Sequence, residues 1–532
     1  MESKKRIGVM LDCSRNAVMK PSSVKNYMDI LSKMGYNMLM LYTEDTYEVE
    51  DEPFFGYLRG RYSENELKDI ADYGEQVGIE VIPCIQTLAH LNQIFRWSCY
   101  KSINDTEDIL LADCDRTYEL IEKMFKSIRR CFKTDIVHIG MDEAHNVGLG
   151  KYFKEHGPVD RFSLLSRHLK RVSEIAERYG FKPIMWSDMF FRLANGGDYY
   201  CSSSDIVTDD IAALIPENVS LVYWDYYSRE KGRYDVMIAA HKNFDKPVWF
   251  AGGAWMWKGF SPDNEISIKR TRLAMQSCRD NNVDNIFMTC WGDNGAEASY
   301  YSVMPTLYYA VSVLNGIDDE EKIKSGFLKL FGIEFDNYMK LDLPSKLRER
   351  SHVAVYNPDK LMFYSDPFLG IYDHSFEGDG SREESIYRSY ADDLSKLKDE
   401  PDFGYLFETA AALCSFLSFK YALGRKTRTA YDQKNKSALK KLLSIYDECI
   451  ISLDAFYEAF KKQWYKEKKG NGFEVQDVRI GGLKQRLISC RSRLSDYICG
   501  RIECIEELDE QLIDLGDTGL VNCWSRWTPA VL

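Results

Sequence analysis

Residues 6–315 alternate short apolar segments with amphipathic segments, and this alternation constrains the fold more than any other feature of the chain. The apolar segments are rich in β-branched and aromatic residues, as strands are, and the segments between them repeat apolar residues every three or four positions, as helices do. Strands are predicted at residues 7–12, 37–42, 80–85, 135–140, 183–187, 220–225, 247–251 and 285–291. Each strand leads into a helix, which predicts a parallel sheet with crossover helices. Eight such units predict an α/β fold of the closed (β/α)8 TIM-barrel type.

An open, doubly wound α/β sheet is the competing fold. Such a sheet usually carries a glycine-rich phosphate-binding turn after its first strand. Residues 12–16 read DCSRN and contain no glycine, so the sequence favours the barrel.

The pattern changes near residue 316, where strand-like segments stop. Helices are predicted at residues 320–331, 382–398, 405–428, 436–465 and 483–513. We therefore predict two domains, a catalytic barrel over residues 1–315 and a mainly α-helical C-terminal domain over residues 316–532. Residues 470–482 (GNGFEVQDVRIGG) interrupt the helices and are interpreted either as an ordered loop at an interface or as an ordinary connector.

Composition narrows the possible partners. The net charge of −13 argues against nucleic acid or an anionic membrane surface. The sequence shows neither an N-terminal apolar signal segment nor a stretch of about 20 apolar residues, which predicts a cytoplasmic protein without a membrane span. The 14 cysteines include no CxxC pair, so we expect mostly reduced, buried thiols and no metal site.

The predicted strand ends carry carboxylates and aromatic rings together. In a barrel of this type the active site is built at the carboxyl ends of the strands. Five of the ten tryptophans fall at or just past these ends, at positions 186, 224, 255, 257 and 291. Aromatic walls with acids at their rim suit a sugar ring, whose C–H face stacks on the aromatics while its hydroxyls donate to carboxylates.

The fourth predicted strand ends in two adjacent acids, within the stretch HIGMDEAH at residues 138–145. Neighbouring strand residues point to opposite faces unless the chain turns. If it turns here, Asp142 and Glu143 both face the pocket, and their repulsion raises the pKa of one of them, as a general acid requires. The simpler alternative is that the pair caps the following helix.

The full motif resembles a known family. His138-Ile139-Gly140-x-Asp142-Glu143 is similar to the H-x-G-x-D-E signature of glycoside hydrolase family 20, the β-N-acetylhexosaminidases. Residues 11–15 (LDCSR) resemble its L-D-x-S-R, residues 223–225 (YWD) its Y-x-D and residues 291–293 (WGD) its W-x-E/D. The resemblance covers roughly residues 6–315 and is strongest to the short, cytoplasmic-type members.

The resemblance implies retaining hydrolysis of a terminal, non-reducing β-linked N-acetylglucosamine or N-acetylgalactosamine without a protein nucleophile or cofactor. The substrate's 2-acetamido oxygen would attack the anomeric carbon and form an oxazolinium ion. Glu143 would be the acid and base, and Asp142 would orient the acetamido group. The substrate-binding residues implied are Tyr223 at the acetamido oxygen, Trp186 and Trp291 around the acetyl group or ring, and Asp293 at the C4 and C6 hydroxyls with Asp225 nearby. Trp255, past the end of predicted strand seven, is a further substrate-binding candidate because of its place among the aromatic residues at the strand ends.

Two departures from the family pattern affect the sugar hydroxyls. The usual arginine before the first motif is Ile7, and Arg15 is either its substitute or a structural ion-pair partner. The motif D-x-P-G-H reads QTLAH, so that His90 is retained while its acidic companion is Gln86. We therefore expect looser control at C4 and entry of both gluco and galacto sugars. His138, inside a strand, is interpreted as a neutral core histidine.

Two rival interpretations remain open. The chain is alternatively another retaining barrel glycosidase, with Asp293 or Asp225 as a carboxylate nucleophile, or a non-catalytic sugar-binding protein. The helical region further predicts a possible homodimer in which a partner's residues 470–482 close the pocket.

Overall fold

The computed structural model of the chain describes residues 5–257, 259–293, 295–350, 358–373 and 378–513. Eight parallel strands form a closed barrel, so the predicted (β/α)8 fold is confirmed. The strands are β1 (Arg6–Asp12), β2 (Met38–Tyr42), β3 (Glu80–Cys84), β4 (Ile136–His138), β5 (Lys182–Trp186), β6 (Ser220–Trp224), β7 (Trp249–Gly253) and β8 (Asn285–Cys290).

The barrel closes between its first and last strands. Leu11 of β1 pairs with Leu41 of β2 on one side and with Cys290 of β8 on the other. The Asp12 carboxylate links the end of β1 to the end of β8. It accepts hydrogen bonds from the backbone N–H of Ser14, just after β1, and of Gly292, just after β8, each at 2.9 Å. The inward side chains fill the barrel, as expected for this fold; they are Met10, Met38, Met40, Tyr42, Ile82, Cys84, Ile136, Ile184, Trp186, Val222, Trp249, Ala251 and Phe287.

Helices follow the strands as the sequence predicts. The longer helices of the barrel are Pro21–Met34, Glu64–Gln76, Asp115–Cys131, Arg161–Arg178, Lys231–Lys242, Asn264–Asp280, Met304–Leu314 and Glu320–Phe331. Shorter helices are Asn92–Phe95, Lys151–His156, Asp188–Ala194 and Asp209–Ala212, with 3-10 turns at Ser98–Ile103, Ser204–Ile206 and Tyr300–Val303. A two-stranded hairpin, Asn104–Thr106 with Ile109–Leu110, lies in the segment after β3 and was not predicted.

The C-terminal region is built mainly from helices in its described residues. Its helices are Phe335–Tyr338, Met339–Arg350 (3-10), Pro358–Tyr364, Ser381–Ser395, Gly404–Lys420, Leu423–Asp432, Lys436–Glu467, Phe473–Ile498 and Glu506–Asp509. Residues 404–432 form the one stretch in the described residues with the length and composition of a membrane span, and most of it is buried inside the protein, as in a core helix.

The predicted loop or connector over residues 470–482 is wrong for most of its length. The helix Phe473–Ile498 begins inside it and runs through Gly481 and Gly482. The residues buried there, Phe473, Gln476, Ile480 and Leu483, recur at helical spacing. Both internal glycines face solvent, where each costs about 1 kcal/mol of helix stability without preventing the helix.

The chain divides into two compact units. The first comprises Met1–Trp255, Asn264–Gly292 and Met304–Gly332, and the second Met256–Asp263, Asp293–Val303 and Ile333–Leu532. The second unit thus includes the segment after β8, and the boundary at residues 315 and 316 stays a sequence prediction.

Within the second unit, the segment Asp293–Val303 is held by buried charges. The carboxylate of Glu297 pairs with Lys360 Nζ at 2.7 Å, and both side chains are almost fully buried. Lys468 Nζ donates hydrogen bonds to the carbonyl oxygens of Ala296 and Ala298.

Gly8→Ala tests the close packing of β1 on β2. A Cβ at Gly8 would lie 2.6 Å from Met38 Cε and 2.8 Å from the Met38 carbonyl oxygen. Because that oxygen belongs to a paired strand and cannot swing away, we expect the free energy of unfolding to fall by about 1–3 kcal/mol. Urea unfolding is the measurement, and Gly232→Ala, where a Cβ meets nothing within 4 Å, is the control. Equal urea midpoints for the two variants would contradict the close contact.

Candidate functional site

The chain turns sharply just after β4. Gly140, Met141 and Glu143 have φ angles of 71°, 67° and 50°, in the left-handed region that non-glycine residues rarely adopt. The turn breaks the alternation of a strand, so the two acids no longer point to opposite faces. His90 Nε2 lies 3.2 Å from Asp142 Oδ2 and 3.8 Å from Glu143 Oε2. One imidazole nitrogen therefore lies within 4 Å of both carboxylates.

Asp142 is held as an anion. Burial alone would raise its pKa, but His90 and the Gln86 amide, whose Nε2 donates to Oδ1 at 3.0 Å, lower the pKa to about 2. Burial alone would lower the pKa of His90. The negative charge of Asp142 outweighs this effect and raises the pKa of His90 to about 9. At neutral pH the two groups form an imidazolium–carboxylate pair.

Gln86 connects the pair to the strand end. Its Oε1 accepts the Met141 N–H at 3.2 Å, and its Nε2 also donates to the Tyr42 hydroxyl at 3.0 Å. A Cβ on Gly140 would lie 1.9 Å from Gln86 Oε1, so the contact requires a glycine at that position. The sequence identified Gln86 only as a departure from the family pattern.

Glu143 differs from its neighbour in exposure. Its side chain is 53% exposed, against 14% for Asp142. Its backbone N–H donates to Asp188 Oδ2 at 3.1 Å. Burial, followed by the negative charge of Asp142, raises the pKa of Asp188 to about 7. The expected raised pKa thus appears on a third carboxyl, that of Asp188, which the sequence analysis did not identify.

Aromatic rings form the wall beside these acids. The ring centroids of Trp186 and Trp291 are 6.1 Å apart, and Tyr42 meets Trp291 edge-on at 4.8 Å. Trp291 Nε1 donates to the Tyr226 hydroxyl at 3.0 Å. His138 packs on Trp186 at 4.4 Å, and burial lowers its pKa to about 3, so it is a neutral histidine of the core.

Tyr223 and Asp225 are placed away from this wall. Trp224 packs against the barrel interior, so Tyr223 points outward, where its ring contacts Phe250 and His241. Asp225 is buried and accepts five hydrogen bonds; the donors are the Tyr223, Ser228 and Tyr200 hydroxyls and the Tyr227 and Ser228 N–H groups. The predicted contact of Tyr223 with a ligand therefore has no support in the geometry. Tyr226, which the sequence analysis missed, reaches Trp291 instead.

The other predicted ligand residues occupy different surroundings. Arg15 Nε donates to Glu44 at 2.9 Å, and the guanidinium carbon lies 5.9 Å from the Trp291 ring centroid. Trp255 is 7% exposed, and its backbone N–H donates to Ser267 Oγ at 2.8 Å. Asp293 is half-buried and is the first residue of the segment that belongs to the second unit.

Among the residues that the structure describes, no group of three or more His, Cys, Asp or Glu side chains is arranged to hold a metal ion.

Paired acids at the carboxyl end of a (β/α)8 barrel, beside a tryptophan wall, are the arrangement of a glycoside hydrolase. Residues 6–241 match the family model described as glycosyl hydrolase family 20, catalytic domain, and residues 336–520 match the model described as Glycoside Hydrolase 20C C-terminal domain. The chain belongs to glycoside hydrolase family 20.

Curated relatives are distant. The chain is 24% identical over 253 residues to a probable beta-hexosaminidase of Arthroderma benhamiae, across 41% of this chain and 38% of that protein. It is 23% identical over 239 residues to hexosaminidase D of Bos taurus, across 42% of this chain and 62% of that protein. The match spans less than two thirds of the length of either relative.

Solved structures give the following similarities. A β-N-acetylhexosaminidase from Bacteroides fragilis is 19% identical, with a TM-score of 0.46 over 62% of this chain and 69% of that chain. Flavobacterium johnsoniae chitobiase is 15% identical, with a TM-score of 0.47 over 86% of this chain and 78% of that chain.

The His90–Asp142 pair makes stability depend on pH. The stabilisation from the His90 charge is fully present below the ordinary histidine pKa of about 6.5 and is lost as the pH rises through about 9. The stabilisation from the Asp142 charge is present above the ordinary aspartate pKa of about 4 and is lost as the pH falls through about 2. Between pH 6 and 9.5 we expect the wild-type protein to lose on the order of 1–3 kcal/mol of unfolding free energy from this pair.

The matched variant is His90→Asn, which keeps a hydrogen-bond donor but carries no charge. Urea unfolding at both pH values should show a smaller loss for the variant than for the wild type. A loss as large as that of the wild type would assign the pH dependence to other groups.

Gly140→Ala tests the contact between Gln86 and the strand end. Gly180 is a matched control, because its φ is also 71° while a Cβ there meets nothing within 4 Å. We expect Gly180→Ala to cost about 1 kcal/mol from backbone strain alone, and Gly140→Ala to cost more because Gln86 must move. Urea unfolding measures both costs. Equal losses of unfolding free energy in the two variants would show that Gln86 moves aside at no energetic cost.

Proposed function

We propose that this chain is an exo-β-N-acetylhexosaminidase that removes a terminal β-linked N-acetylglucosamine or N-acetylgalactosamine with retention of configuration. The observation that carries the proposal is the convergence of Asp142 and Glu143 on one side of the turned strand end. One acid is largely shielded from solvent and held ionised, and the other is half exposed. These are the two environments that substrate-assisted hydrolysis requires.

Asp142 acts on the acetamido group of the substrate. Its lowered pKa keeps it negative, so it accepts a hydrogen bond from the acetamido N–H and turns the acetamido oxygen toward the anomeric carbon. As that oxygen bonds to the anomeric carbon, positive charge develops on the forming oxazolinium ring. A fixed anion beside this charge stabilises the transition state more than the ground state.

Glu143 handles the proton. It donates a proton to the glycosidic oxygen as the bond from the anomeric carbon to that oxygen breaks. Water then attacks the same carbon, Glu143 takes a proton from this water, and the oxazolinium ring reopens to the acetamido group. Its exposed side chain gives both the leaving group and the incoming water access to the carboxyl.

The aromatic wall encloses the acetyl group. Trp186 and Trp291 supply its faces, and we assign the contact with the acetamido oxygen to Tyr226 rather than to Tyr223. Tyr226 accepts the Trp291 N–H on its hydroxyl oxygen, which places this hydroxyl beside the wall.

The sugar hydroxyls have fewer assigned partners. Asp293 remains our proposal for the C4 and C6 hydroxyls. Arg15 supports Glu44 at 2.9 Å, and we propose that it reaches the C3 or C4 hydroxyl from beside Trp291. Trp255 is proposed as an outer part of the wall. Asp225 is assigned to holding the loop after β6, since five donors already surround its carboxylate.

Cytoplasmic location and a homodimer are further proposals, drawn from the sequence. The proposed dimer no longer includes a pocket closed by a partner's loop at residues 470–482, because residues 473–482 belong to a helix.

Glu143→Gln tests the proton-transfer role. The variant keeps size and hydrogen bonding but cannot donate the proton, so we expect turnover of an N-acetyl-β-glucosaminide with a poor leaving group to fall about 100-fold or more. Steady-state kinetics measure this loss, and Glu155→Gln, an exposed glutamate on Lys151–His156, is the control. An inactive wild type would favour a sugar-binding protein instead.

A glucoside with a 2-hydroxyl in place of the acetamido group tests the nucleophile. If the substrate's own oxygen attacks, the glucoside should react at least about 100-fold more slowly. Equal rates would favour a carboxylate nucleophile.

A further inference from the structure

Exposed apolar side chains of the first unit gather at one end of the barrel. Among its described residues, seven large apolar side chains are exposed, and six of them follow the carboxyl ends of β2, β4 or β6; these are Phe54, Tyr57, Leu58, Leu149, Phe153 and Tyr227. The seventh, Ile317, lies between two helices. The same end carries Asp142 and Glu143. Exposed apolar groups that gather at one end of a folded unit are typical of a binding surface.

Three of the aromatic rings on this end form a cluster, which we call the aromatic platform (Phe54, Tyr57 and Trp97). Phe54 and Trp97 lie 5.2 Å apart and are tilted by only 34°, and Tyr57 meets both rings edge-on, at 5.9 Å from Phe54 and 5.6 Å from Trp97. Phe54 and Tyr57 are 41% and 43% exposed. The platform thus presents ring surface to solvent although its members already contact one another.

The loop that carries Phe54 and Tyr57 is firmly supported. Phe55, between them in sequence, is buried against Tyr47 at 5.3 Å. Arg59 pairs with Asp45 at 3.2 Å. Leu58 has a φ of 62° and a side chain that is 68% exposed, so the loop combines backbone strain with an exposed apolar group. Strain of this kind is found where a segment serves a binding role.

The platform lies on the same two loops that carry residues of the candidate site. The loop after β2 starts at Thr43 and carries Glu44, whose Oε1 accepts hydrogen bonds from Arg15 and Tyr42. The segment after β3 carries His90, which contacts Asp142, and Trp97 follows seven residues later. A ligand that extends from the acids over these two loops therefore reaches the platform.

We propose that the aromatic platform binds a pyranose ring on the leaving-group side of a β-linked oligosaccharide. The inference rests on the proposed function, because it takes Asp142 and Glu143 as the site of bond cleavage. A pyranose with equatorial hydroxyls presents C–H bonds on both faces, and these pack on the faces of aromatic rings. The natural substrate is then a glycan chain rather than a single sugar on a small aglycone.

Two substrates separate this binding from catalysis. The N-acetylated form of chitotriose, which is the form meant below, offers sugar rings on the leaving-group side. Methyl N-acetyl-β-glucosaminide has an alkyl leaving group without a ring. For Phe54→Ala and Trp97→Ala we expect kcat/KM on chitotriose to fall about tenfold, and kcat/KM on the methyl glycoside to change less than about twofold. Ile317→Ala, an exposed apolar residue elsewhere in the unit, should change neither value.

The outcomes distinguish the platform from the catalytic proposal. Equal losses on both substrates, or no loss on either, would overturn the platform while leaving the hydrolase intact. A wild type that forms a dimer, with monomeric Trp97→Ala by light scattering, would assign the patch to a second copy of the chain. If the wild type cleaves neither substrate, the catalytic proposal fails. Calorimetric titration with chitotriose then tests whether the platform binds the oligosaccharide. Weaker binding by Trp97→Ala then supports the platform, and unchanged or absent binding overturns it.

Discussion

The contact between Gln86 and the turn after β4 is the interaction on which the candidate site depends. An uninterrupted strand would send Asp142 and Glu143 to opposite faces. Three residues in the left-handed region reverse that arrangement, and such a backbone persists only where neighbouring groups hold it. Gln86 supplies that support, since one side-chain amide accepts the Met141 N–H and donates to Asp142. The absence of a side chain at Gly140 makes room for it.

Burial and neighbouring charge divide the protons among the acids of the site. The pKa of Asp142 falls to about 2 beside the His90 imidazolium, whereas that of Asp188 rises to about 7 beside Asp142. One carboxyl is thus fixed as an anion, and another exchanges its proton near neutral pH. The backbone of Glu143 hydrogen-bonds to Asp188, so the protonation of Asp188 changes the charge next to the proposed acid.

The sequence predicted the barrel well because buried parallel strands form continuous apolar runs that are separated by amphipathic helices. Residues 285–291, for example, differ from the observed Asn285–Cys290 only at one end. The helix over residues 473–482 was missed because its glycines resemble a loop, although the buried residues keep helical spacing.

Within the site, sequence reasoning brought out the acids of β4, and His90 proves to contact both of them. The direction of Tyr223 was not visible, because a match to Y-x-D does not say which of its residues faces inward. Asp188 and Gln86 gain their roles from contacts with residues 45 and 55 positions away, which no local pattern reports.

The segment Asp293–Val303 has a consequence for how the protein divides. It continues directly from the last barrel strand, yet Lys360 and Lys468 of the second unit fix it through Glu297 and two backbone carbonyls. A chain shortened after residue 315 would retain Asp293 but lose both lysines. The helical region therefore fixes the segment that follows the last barrel strand in sequence, and a swap of domains between relatives would have to carry this segment together with the helices that hold it.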